Sequence, residues 1–232
     1  MTFKDKIVVV TGGTGALGGA VVAALTAAGA SCVVPYKRDT EADRSGLRGN
    51  GKVRLIKVAD LSDEADVARV YEGLTPWASI HIAGGFAAGN VAATDKAALM
   101  AQIDDNLVSC FLCCRAAVNT MLAGKQSGRI VNVAARPALE PRSGAGMTAY
   151  TVAKNGVAAL TIALAEEVAK DGILVNAVAP STMDTPANRK AMPKADFDKW
   201  PKVEEVAATI LFLASPDNAV TRGAIVPVYG KS

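Results

Sequence analysis

Two side chains four residues apart, Tyr150 and Lys154 in the stretch AYTVAKNGV, are the pair in this chain best suited to moving a proton. On a helix, positions i and i+4 share a face, so the phenol and the amine point the same way. A free phenol, with a pKa of about 10, is a poor base at neutral pH, whereas a neighbouring ammonium favours the phenolate and lowers that value. The spacing therefore predicts a tyrosine shuttle tuned by a lysine. Small neighbours, Ala149, Ala153 and Gly156, leave room for a bulky group against this helix.

The elements that must position the pair alternate along the chain. Runs rich in Val and Ile (KIVVV, SCVVPY, VRLIKVAD, SIHIAGG, GRIVNVA, ILVNAVAP, GAIVPVYG) are separated by stretches of helical period, among them DKAALMAQIDDNLVSCFLCCRAAVNTML, expected as one long helix. Strands that are apolar on nearly every residue need cover on both faces, which predicts a doubly wound parallel sheet of the α/β class with its ligand crevice at the carboxyl ends of the strands. At 232 residues, one domain is expected over 1–232. Only 181–202, polar and with three prolines, stands apart, and it suits a short flap beside a site.

After the first strand comes TGGTGALGG. Gly12 and Gly15 allow close backbone approach and Gly18 close packing of helix on strand, while the helix beyond directs unpaired N–H groups at a phosphate. This is the setting of a dinucleotide-binding turn. The second strand ends in Tyr36, Lys37 and Arg38, with Asp39 just beyond. An acid there would hold a ribose 2′-OH. A basic residue suits a 2′-phosphate, so the reading is NADP(H) rather than NAD(H).

The balance of 25 basic against 22 acidic residues, net +3 without a basic block, argues against a nucleic-acid partner. The N-terminal apolar run is too short for a membrane span or signal core, which predicts a cytoplasmic protein with no membrane association. Cys110, Cys113 and Cys114 lack a second cysteine pair and fit the apolar face of a helix. His81 is the single histidine, and no metal site is expected.

Taken in order, the glycine turn, VADL at 58–61, IAGG at 82–85, Asn106, GRIVNVA at 128–134, Tyr150 with Lys154, and AP followed by DTP at 179–186 make the chain resemble the short-chain dehydrogenase/reductase family over essentially its whole length. The resemblance implies a Rossmann-type, seven-stranded, three-layer fold, a nicotinamide cofactor and a homodimer or homotetramer built on two long helices. It also implies hydride transfer between NADP(H) and a small carbonyl or alcohol substrate, with Tyr150 as proton donor or acceptor, Lys154 on the nicotinamide ribose and Asn106 on a proton path to Lys154. Carried over residue by residue, Gly12, Thr14, Gly15 and Leu17 would contact the cofactor's phosphates, Asp60 and Leu61 the adenine, and Ala83, Gly84 and Gly85 a ribose. Pro180, Met183 and Thr185 would sit by the nicotinamide.

The sequence departs from that pattern where a serine hydroxyl usually follows the fifth strand: here stand Ala134 and Ala135. Ser143 and Thr148, in a loop slightly longer than usual, are candidates to replace it. The gap leaves two other readings open, a dihydropteridine-reductase-like quinonoid reductase and a non-catalytic NADP-binding sensor. His81 and Ile82 stand where the family has paired asparagines, and Ser181 where it has glycine.

Overall fold

Strands such as IVVVT and ILVNAVAP have no polar face to show to water, and the chain solves this by sandwiching them between helices. The computed structural model describes residues 1–232. Seven parallel strands run in the order β3-β2-β1-β4-β5-β6-β7. They are β1 (Ile7–Thr11), β2 (Ser31–Tyr36), β3 (Val53–Lys57), β4 (Ala78–His81), β5 (Gly128–Val133), β6 (Ile173–Pro180) and β7 (Ile225–Val228). The helices are α1 (Ala16–Ala27), α2 (Asp39–Arg44), α3 (Glu64–Tyr71), α4 (Lys96–Ile103), α5 (Ser109–Ala123), α6 (Arg136–Leu139), α7 (Thr148–Glu167), α8 (Pro186–Ala191) and α9 (Val203–Ala214). The order reverses beside β1, so β1 and β4 separate at their carboxyl ends and open the crevice expected of this topology.

Alternation along each strand divides the interior into two cores of nearly equal size, 22 and 21 buried residues. Val8 and Val10 face α1 and α9, while Val9 faces the layer of α3, α5 and α7. The segment expected as one long helix is interrupted. Asp104–Val108 forms a π-turn between α4 and α5, and such wide turns occur where a helix must aim a side chain out of its regular series. Here that side chain is Asn106. The run Lys96–Ala123 is apolar and long enough to cross a membrane by composition alone, but half of its most apolar stretch is buried inside the protein, as in a core helix. Residues 181–202 carry α8 and a short 3₁₀ turn, Phe197–Lys199, closed by a bridge between Asp184 and Lys202.

The cysteines of α5 are buried as expected, yet their surroundings are not purely apolar. Asn132 donates from Nδ2 to Thr161 Oγ1 at 2.9 Å, so its Oδ1 is the acceptor at 2.8 Å from His81 Nδ1. That fixes the histidine tautomer: Nδ1 carries the proton, and Nε2 accepts from Ser79 at 2.8 Å. Cys114 Sγ lies 3.4 Å from both His81 Nδ1 and Asn132 Oδ1. The donor atoms of His81, Cys110 and Cys114 lie within 4.8 Å of one another, a grouping hidden in a sequence where the residues are far apart. Both imidazole nitrogens are engaged in hydrogen bonds, and the histidine ties β4 to β5.

Replacing Asn132 by Leu keeps the branched shape but removes the acceptor of the His81 Nδ1–H in the core and leaves Thr161 with only its bond to the Val157 carbonyl. We expect a loss of about 3 kcal/mol in urea unfolding, against a change under about 1 kcal/mol for an exposed control such as Lys125→Ala.

Candidate active site

Two connected cavities open at the carboxyl ends of the strands. The larger, about 600 Å³, is walled by the turn after β1 (Gly12, Thr14, Gly15, Leu17), by Lys37 and Arg38 after β2, by Asp60 and Leu61 after β3, and by Ala83 and Gly84 after β4. All ten were expected at a dinucleotide from sequence, and the fold brings them together. The glycines are sterically required. A Cβ on Gly18 would lie 2.1 Å from the Gly12 carbonyl oxygen, and one on Gly12, whose φ is +69°, would lie 2.7 Å from the Ala83 nitrogen. No side chain caps the first turn of α1, and no acid sits in it, so its N–H groups and positive dipole end are available to an anion.

Around the rim the charges are already sorted. Asp39 does not line the cavity: it pairs with Lys57 and Arg48 and accepts from the Tyr36 hydroxyl at 3.2 Å. Arg38 is held by Glu41, a cavity-lining residue that the sequence reading passed over. The signal was there, since Glu at the third helical position reaches back to the start of its helix. Asp66 was also missed. Its carboxylate accepts from the Ala59 and Asp60 amides at 2.6 and 2.7 Å and so shapes the turn that presents Asp60.

The smaller cavity, about 210 Å³, contains Tyr150, Lys154 and Asn106, together with Gly85, Phe86, Ala134, Ala135, Pro180, Ser181 and Met183. It shares Leu17, Ile82 and Gly84 with the larger one, making a single continuous groove. Asn106 donates from Nδ2 to the Gly85 and Gln102 carbonyls at 2.9 and 3.0 Å, which leaves Oδ1 buried without a partner. That oxygen and Lys154 Nζ converge on Gly84, at 2.5 and 3.5 Å from the position a Cβ there would take. An orphaned acceptor beside a buried ammonium is costly unless something polar bridges them.

Proximity does not tune the phenol in the way the spacing predicts. Burial pushes Tyr150 up to about 12 and draws Lys154 down to about 8. The ammonium gives its hydrogen bond to the Val133 carbonyl at 2.8 Å and stands 5.8 Å from the centre of the Tyr150 ring, so desolvation of both groups outweighs their attraction. Phe86 meets that ring edge-on at 5.0 Å.

Neither candidate for the missing hydroxyl reaches this cavity. Ser143 donates to the Glu140 carbonyl at 2.8 Å in an exposed turn, and Thr148 opens α7 away from the cavity walls. The hydroxyl that does line it, besides that of Tyr150, is Ser181, which donates to the Tyr229 carbonyl at 2.9 Å and faces Ser232 Oγ at 2.8 Å. Thr185, expected near a nicotinamide, lies outside both cavities, where its side chain caps α8 by accepting from the Asn188 amide at 3.1 Å.

Comparison with known proteins agrees with this architecture. The family model described as short chain dehydrogenase matches residues 6–196. A galactitol 2-dehydrogenase from Rhizobium johnstonii is 34% identical, over 95% of this chain and 92% of its own. A 3-oxoacyl-(acyl-carrier-protein) reductase from Pseudomonas aeruginosa is 29% identical over 99% of this chain and 98% of its own. An oxidoreductase of the short chain dehydrogenase/reductase family from Burkholderia thailandensis superposes with a TM-score of 0.86 at 27% identity, covering 97% of this chain and 91% of that one. The chain belongs to the short-chain dehydrogenase/reductase family, whose members are oxidoreductases that use a nicotinamide dinucleotide.

The displaced lysine gives a pH signature. Between pH 8 and about 10 the folded chain releases the Lys154 proton that the unfolded chain, with its ordinary value of 10.5, still holds, so stability from this group rises with pH in that window. Tyr150 acts oppositely, but only above about pH 10. Going from about pH 8 to about pH 9.5, the wild type should gain about 1–2 kcal/mol over Lys154→Met in urea midpoints. Parallel curves for the two proteins would contradict the shift.

Proposed function

We propose that this protein is an NADP(H)-preferring oxidoreductase that interconverts a small carbonyl compound and its alcohol, with Tyr150 as proton donor and acceptor. The observation that carries the reading is the convergence of Tyr150, Lys154 and the unpartnered Asn106 oxygen on one cavity continuous with the glycine-walled groove. A nicotinamide dinucleotide fits that groove: glycines stand where a Cβ would collide, the first turn of α1 is uncapped, and the orphaned acceptor lies at the joint between the cavities.

When bound, the nicotinamide supplies or accepts hydride. The chain's own residues do the rest. Gly12, Thr14, Gly15 and Leu17 would receive the phosphates, Asp60 and Leu61 the adenine, Ala83, Gly84 and Gly85 a ribose, and Pro180 and Met183 the nicotinamide end. Lys154 would hold the nicotinamide ribose, and Asn106 would offer its free oxygen to a polar bridge ending at Lys154. Tyr150, kept protonated by burial at neutral pH, is set to donate to a carbonyl oxygen.

Lys37 and Arg38 in the cleft wall, with Asp39 turned away into ion pairs, favour the 2′-phosphate over the bare ribose. A small cavity walled by Phe86, Ala134, Ala135 and Met183 favours a compact, partly apolar substrate. The relatives' names, a polyol dehydrogenase and an oxoacyl reductase, fit alcohol and carbonyl partners. Exposed Phe111 on α5 with Val152 and Ile162 on α7, each half open to solvent, supports a homodimer or homotetramer through these helices. Four buried free thiols suit a reducing compartment such as the cytoplasm.

The test is consumption of NADPH and NADH over a panel of ketones and quinones. Tyr150→Phe should lower kcat at least about a hundredfold while NADPH titration stays within about twofold of wild type. Undiminished turnover removes the phenol from the reaction, and tight NADPH binding without turnover of any panel member favours a sensor.

A further inference from the structure

Four charged groups line the adenosine end of the groove: Lys37, Arg38, Glu41 and Asp60. The two cations differ in what holds them. Arg38 immediately precedes α2 and donates from Nε to Glu41 Oε1 at 2.6 Å, its terminal nitrogen joining the same pair, while Glu41 Oε2 lies 3.4 Å from the Arg38 amide. Lys37 is in no ion pair, and its field is felt by the Asp60 carboxylate. The neighbouring acids Asp39 and Asp43 are paired with Lys57 and Arg48 outside the groove. Glu41 is therefore the carboxylate that both faces the groove and occupies a cation suited to a phosphate.

A phosphomonoester carries close to two negative charges at neutral pH, and a ribose hydroxyl carries none. Glu41 thus opposes a 2′-phosphate by holding the guanidinium fork that would bind it, and leaves a 2′-hydroxyl almost unaffected. We propose that Glu41 is a cofactor-selectivity residue: by engaging Arg38 it leaves Lys37 as the working phosphate cation and keeps the groove open to both phosphorylated and unphosphorylated adenosine. This rests on the groove being the adenosine site, as read above.

Glu41→Gln isolates the charge, because Gln at the third helical position can still reach back to the helix start. Calorimetric titration of the full-length protein with 2′,5′-ADP and with 5′-AMP compares ligands that differ only in the 2′-phosphate. Glu41→Gln should tighten 2′,5′-ADP about fivefold and leave 5′-AMP within about twofold. Arg38→Met placed on top should cut that gain to under about twofold. If the 2′,5′-ADP dissociation constant does not fall relative to that of 5′-AMP in Glu41→Gln, the proposal is overturned, as it is by a gain that survives loss of Arg38. Wild-type protein that prefers 5′-AMP overturns the NADP(H) preference alone, since the shift caused by Glu41→Gln is still measured. If no variant binds either nucleotide, the adenosine-site reading falls and the selectivity role falls with it.

Discussion

The constraint on which this molecule rests is a contact between two stretches of backbone. At Gly18 the first turn of α1 lies so close to the Gly12 carbonyl that no side chain fits between them, and Gly12 in turn lies against Ala83 at the end of β4. A helix set back by the width of one methyl group would no longer bring its uncapped N–H groups to the mouth of the crevice, and the β1 and β4 turns would lose their common wall. Ordinary hydrophobic burial assembles the sheet. The missing Cβ atoms decide where, on that sheet, a ligand can lie.

Much of this was legible because it is written in local periodicity. Seven runs such as KIVVV and GRIVNVA became the seven strands, since an apolar run of that length has few alternatives to a covered parallel strand. The glycine turn, the ends of β2 to β4, and Tyr150 with Lys154 were readable for a related reason: their positions follow from strand ends and from one helical turn. What escaped depends on the course of loops and on distant partners. Ser143 and Thr148 lie close to Tyr150 in sequence, yet Ser143 sits in an exposed turn and Thr148 opens α7 outside the cavity lining, while Ser181 arrives from the end of β6. Thr185 caps its own short helix, a local use that competes with ligand contact. The thiols of α5 looked like plain packing until the fold brought His81 and Asn132 beside them.

The phenol and the amine show how environment overrides spacing. Four residues apart on α7, they are close enough to interact, but a carbonyl at the end of β5 accepts the lysine's hydrogen bond and the surrounding protein excludes the water both groups need to carry charge. Desolvation thus moves the two groups in opposite directions, each toward its neutral form. The pair as it stands is a proton donor beside a weakened cation.

The two cores also meet the groove from opposite sides of the sheet. Helix α1, which frames the glycine-walled end of the groove, packs with α9 on one layer, whereas α7, which carries Tyr150 and Lys154, and α5, which follows the π-turn of Asn106, pack on the other. Between them lie strands whose successive residues answer to different layers, Val9 to one and Val10 to the other. Each half of the groove leans on both layers, Leu61 of the larger cavity on the α3–α5–α7 side and Met183 of the smaller one on the α1–α9 side, so a packing change on either face of the sheet is felt along the whole length of the cleft.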